Sequence, residues 1–151
     1  MVPFVCTHNN KLINFQYKIL NRILATNSFL YKLKLKETNL CTFCNETKES
    51  IMHLFWECPV VRNFWIEIKN LYRETCNIEL SLSASNIILG SSIFDISTNY
   101  FIILIKYFIY SCRLRASRPA LIGLMSMLKT TYSIEKLSAA FHQSPAIGEK
   151  N

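Results

Sequence analysis

Glycine and proline are scarce in this chain, at three and four of 151 residues. A sandwich or barrel of short strands needs turn residues at regular short intervals, so an all-β or loop-rich chain is excluded. Long apolar runs are missing too. The most apolar stretch, residues 100–112, is thirteen residues long and contains Lys106. A membrane span needs roughly 20 predominantly apolar residues, so this stretch reads as a buried helix and no membrane role is expected. No secretory leader is visible, because lysines, arginines and polar residues follow soon after the N-terminus. The expectation is an intracellular protein, nuclear or cytoplasmic. In a reducing compartment clustered cysteines bind metal rather than forming bridges.

Half of the residues are apolar, enough for a real core, and stretches rich in Leu, Ile, Lys and Asn favour helices. The sequence therefore predicts an all-α fold: a small helical domain with a zinc-binding turn carrying a minor β-hairpin. Seventeen Lys and Arg stand against ten Asp and Glu, for a formal charge of +7. Such a balance suits a polyanionic partner. Nothing suggests a small-molecule substrate.

Residues 9–25 read as a helix, with Leu12, Phe15, Ile19 and Ile23 on one face and Ile13, Tyr17, Leu20 and Leu24 widening it. A short second helix follows over residues 29–33, capped by Asn27 or Ser28. Residues 39–50 form a polar loop, and residues 51–57 a short helical piece. The clearest amphipathic helix runs over residues 59–76, where Val61, Phe64, Trp65, Ile68, Leu71 and Tyr72 keep one stripe. Helices are also expected over residues 100–116 and 120–142, the latter with Leu121, Leu124, Met125, Leu128, Leu137 and Phe141 towards the core. The organisation expected is a tail at 1–8, a zinc-binding region at 9–76, a C-terminal helical region at 77–142 packed on it, and a tail at 143–151.

Cys41, Cys44, His53 and Cys58 fall within eighteen residues. Structural zinc wants four such ligands in a closed tetrahedron. A CxxC turn aims two sulfurs at one ion. On a continuous α-helix, five steps of about 100° would put His53 and Cys58 roughly 140° out of phase. The Cys58-Pro59 step breaks the helix and returns Cys58 to the metal as the N-cap of the next one, where helix-end N–H groups favour a thiolate. Glu49, four residues before His53, is positioned to accept its free ring N–H. The other reading of Glu49 is a solvated first-turn acid. A CxxC pair also suits thiol redox cycling. Cys6, Cys76 and Cys112 read as buried apolar residues.

The segment NKLINFQYKILNRILATNSFLYKLKL-x5-CTFC-x4-ESIMHLFWEC-x6-W resembles the zinc-binding domain at the C-terminal end of reverse transcriptases of LINE-type, non-LTR retrotransposons. The positions that carry the resemblance are Ile23-Leu24-Ala25-Thr26, Cys41, Cys44, Glu49, His53, Phe55, Cys58 and Trp65. Weaker matches follow at Ile88-Leu89-Gly90, Lys106-Tyr107-Phe108-Ile109-Tyr110 and Ile134-Glu135-Lys136. The resemblance implies one structural Zn2+ in a CCHC site and contact with template RNA or target DNA. It implies no enzyme, because the chain has no Tyr/Phe-x-Asp-Asp motif and a single aspartate, Asp95. The chain looks like a piece of a larger retroelement protein without its polymerase and endonuclease.

Candidate nucleic-acid contacts are Lys11, Lys18, Arg22, Lys32, Lys34 and Lys36, which precede any acidic residue, and Arg113, Arg115 and Arg118 in a second acid-free window. Phe43 suits stacking on an unpaired base, or cover for the zinc sulfurs. Two functions compete: a zinc-stabilised nucleic-acid-binding module, or a structural and protein-interaction domain that completes a polymerase and has no nucleic-acid affinity of its own.

Overall fold

The computed structural model describes residues 7–143, without the side chains of 134–143. Six α-helices carry the fold: α1 (Asn10–Leu20), α2 (Asn27–Lys32), α3 (Pro59–Cys76), α4 (Ala84–Leu89), α5 (Ile96–Leu114) and α6 (Leu121–Gln143). A π-helical turn, His53–Glu57, precedes α3. The fold is all-α as expected. The hairpin at the CxxC shrinks to one antiparallel bridge between Leu40 and Lys48.

Local chemistry sets the boundaries. Helix α1 ends five residues earlier than the periodicity suggests. The Asn21 side chain donates to the Tyr17 carbonyl, and Arg22 takes a positive φ of 57°, which no helix accommodates. Ile23, past the helix end, stands half exposed, as does Tyr17 within α1, and the buried face of α1 is Leu12, Phe15, Gln16 and Ile19. Thr26, rather than Asn27 or Ser28, caps α2. The lone aspartate, Asp95, caps α5 by accepting from the Thr98 N–H at 2.7 Å. That starts α5 four residues before the expected position. Asn77, in the left-handed region, stops α3.

Helix α5 is the central element. It packs against α1 on one side and α6 on the other, while α3 contacts α6 and the π-turn. Phe15 meets Phe55 and Tyr107 edge-on, joining α1, the π-turn and α5. Gly123 lets α6 approach α5: a Cβ there would lie 3.0 Å from Phe108 Cζ. Lys106, buried in α5, donates to Gln16 Oε1 at 2.5 Å, so its charge is solvated by the core itself. Leu124 is buried in α6, but Met125 is 40% exposed; Leu137 and Phe141 lie outside the described side chains. Cys112 is buried as expected. Cys76, the last residue of α3, is exposed instead, and Cys6 lies outside the described residues. No described helix is long and apolar enough to cross a membrane.

Candidate metal centre

The zinc loop is built by short-range hydrogen bonds. Cys41 N–H donates to the Thr47 carbonyl at 2.8 Å, and Glu49 N–H to the Asn39 carbonyl at 2.8 Å. Beyond the inner rung the chain must reverse between Cys41 and Thr47. Asn45 allows it by adopting φ 57°, a conformation asparagine tolerates better than most residues, and its N–H reaches the Cys41 carbonyl at 2.9 Å. The Phe43 N–H points back at Cys41 Sγ at 3.4 Å.

Cys41, Cys44, His53 and Cys58 converge, with ligand atoms all within 4.8 Å of one another. Cys41 Sγ lies 3.8 Å from Cys58 Sγ, and Cys44 Sγ lies 3.4 Å from His53 Nε2. Zinc–sulfur bonds of about 2.3 Å and zinc–nitrogen bonds of about 2.0–2.1 Å in a tetrahedron imply S···S near ~3.8 Å and S···N near ~3.5 Å. The donor set and spacing fit one structural zinc ion with no position left open.

The five-residue spacing of His53 and Cys58 is solved in a way periodicity alone does not reveal. The Cys58 N–H bonds to the His53 carbonyl at 2.8 Å, an i→i+5 turn. The widened turn stacks the two ligands one above the other, so they need not diverge as on an α-helix. Proline follows directly. The Phe55 carbonyl would ordinarily accept from residue 59, but Pro59 has no N–H to give. The Trp65 indole N–H takes that role at 2.8 Å. Trp65 thus closes the hydrogen-bond gap that the π-turn and Pro59 open.

The ligands differ in how readily they reach the protonation state that binds a metal. The Cys58 thiol is held below its ordinary range, first by its hydrogen bond with Cys41 and then by the N–H groups of Val60 and Val61 at the start of α3. Cys41 is pushed far up, chiefly by that same shared hydrogen bond and by burial. Metal binding therefore requires Cys41 to give up its proton, so affinity is expected to depend on pH. Burial lowers the His53 pKa and keeps the ring neutral, the form that ligates.

Three expectations need correction. Glu49 is completely buried, and neither of its oxygens contacts His53. Its Oε1 accepts from the Asn27 N–H at 2.9 Å and Arg113 Nε at 2.7 Å; its Oε2 accepts from the Thr42 N–H at 2.7 Å. The carboxylate follows the backbone donors of the zinc loop and α2 and a buried cation, which satisfy it more fully than one imidazole. Arg113 is only 7% exposed, and its second nitrogen reaches Asn27 Oδ1 at 2.7 Å, so it is withdrawn from any phosphate. Phe43 is buried in the core beside the cysteines, which makes it cover for the site and no stacking platform. By contrast Lys11, Lys18, Arg22, Lys32, Lys34, Lys36, Arg115 and Arg118 are exposed, with Lys36 also donating to Asn27 Oδ1 at 2.6 Å. Sequence reasoning missed Asn27. Its amide bridges Lys36, Arg113 and the Leu40 carbonyl, and its only local signal was a position near a helix start.

Residues 4–65 match the family described as zinc-binding in reverse transcriptase. The match spans α1, the CxxC loop, the π-turn and Trp65, and ends before α4, α5 and α6. No curated protein and no solved structure matches the chain.

Proposed function

We propose that this chain is a zinc-stabilised nucleic-acid-binding module without catalysis of its own, of the kind found at the C-terminal end of LINE-type reverse transcriptases. The observation that carries it is the placement of Lys11, Lys18, Arg22, Lys32, Lys34 and Lys36. All six are exposed, all lie in the segment matched to the reverse-transcriptase zinc family, and no acid precedes Glu37. Arg115 and Arg118 add exposed charge beyond the end of α5. Phosphate contacts of this kind position a strand without reading its sequence. The partner is template RNA or target DNA.

The test is a titration of RNA and DNA against the zinc-loaded chain at several salt concentrations. With four phosphates neutralised on a single strand, affinity falls about sevenfold at each doubling of salt. Binding that ignores salt, or no binding at low salt, contradicts the reading. A second reading is a docking domain for the polymerase portion of a retroelement protein. It expects an apolar protein interface and no nucleic-acid affinity.

A further inference from the structure

A groove of about 420 Å³ opens beside the zinc module, where the end of α1, α2, the start of the π-turn segment and the end of α4 meet. Its apolar lining includes Leu24, Phe29, Met52 and Leu89. Its charged lining residues are Arg22 and Lys32, with no carboxylate. Met52 and Leu89 are 37% and 53% exposed, so the apolar surface is open to solvent and not sealed core. Ser28 also lines the groove, and its buried hydroxyl has no hydrogen-bond partner among the described residues. Buried polar atoms are ordinarily satisfied.

We infer that this groove takes an unpaired base of a single-stranded RNA, with flanking phosphates on Arg22 and Lys32 and Ser28 Oγ bonding the nucleotide. The inference rests on the nucleic-acid reading above and deepens it. Charge complementarity selects an anion, and the apolar lining selects one with an apolar face. A nucleotide offers both within a volume at the small-ligand end of the usual range, about 300–1,000 Å³. An amphipathic peptide helix needs a groove several turns long to seat its anchors at i, i+4 and i+7. Duplex bases are stacked and paired, whereas RNA loops and ends present bases that can be splayed into a pocket.

The experiment uses the full zinc-loaded chain and a uridine strand of about 12 nucleotides. It is compared with the same strand carrying abasic sites, its DNA counterpart and an acidic leucine-rich peptide. The base-bearing RNA binds about five- to hundredfold tighter than the abasic one. The variant Met52→Ser/Leu89→Ser, at exposed positions, reduces that ratio below about twofold while leaving the salt dependence intact. Ser28→Ala weakens the base-bearing strand alone. Equal binding of base-bearing and abasic strands, with salt dependence retained, overturns the groove and leaves the parent reading standing. Tighter binding of the DNA strand or of the peptide, lost in the same variants, also overturns it. If neither strand binds at low salt, the parent reading fails first.

Discussion

Glu49 shows how a residue found by spacing gains its role from distance. Its place four residues before His53 suggests a partner for the imidazole. The fold gives it the Asn27 and Thr42 backbone amides and the Arg113 guanidinium, and Arg113 lies 64 residues away in sequence. Glu49 and Arg113 form a buried ion pair, with side chains 0% and 6% exposed. Removing one charge of such a pair strands the other, at about 3–5 kcal/mol. Arg113→Met is therefore expected to cost that much in denaturant unfolding. Arg113→Met with Glu49→Gln is expected to cost clearly less than the sum of the single changes. Additive losses would mean the pair is not coupled. His53 contributes one part of the pH response. Burial depresses its pKa in the folded state, so the folded chain holds that proton less readily than the unfolded one. Its contribution is present above the ordinary histidine range near ~6.5 and is lost as pH falls through and below it. Zinc retention followed by a fluorescent indicator should drop over that interval, before general acid denaturation.

At the scale of elements, α3 and the four ligands were legible because both depend on local spacing. The stripe Val61, Phe64, Trp65 and Ile68 is buried as its periodicity implies. Cys58 caps α3 because proline dictates it. The π-turn was not legible, since it depends on which carbonyl captures the Cys58 N–H and on an indole ten residues beyond Phe55. The burial of Arg113 was hidden for the same reason: a cation carries no local mark of whether it will meet a distant buried carboxylate. The turn makes a further prediction. Pro59→Ala restores an N–H that competes for the Phe55 carbonyl and lets an ordinary α-turn form, which rotates Cys58 away from His53. Zinc affinity, read by chelator competition, should weaken about tenfold or more, as when support for a metal ligand is lost. Trp65→Phe should destabilise by about 1–3 kcal/mol, leaving the Phe55 carbonyl unpaired. Unchanged zinc affinity in Pro59→Ala would show that the turn does not hold the ligands in register.

For the whole molecule, the zinc loop is tied into the helical core. Glu49 and Asn27 connect it to the C-terminal part of α5, and Phe43 and Cys41 belong to the same core as Phe15 and Ile109. One zinc ion therefore fixes the loop, the start of α2 and the start of α3 together, and with α2 the exposed cations at residues 32–36. Basic composition pointed to a polyanion, but only the fold separates the cations that face solvent from Arg113, which does not. The most direct measurement of the central claim is native mass spectrometry of the full chain with and without a strong chelator, paired with far-ultraviolet circular dichroism of the same samples. The account predicts one zinc per chain and cooperative loss of helical structure when the ion is withdrawn. A metal-free chain with undiminished helicity, or a Cys41–Cys44 disulfide that forms and reduces without disturbing the fold, would contradict it.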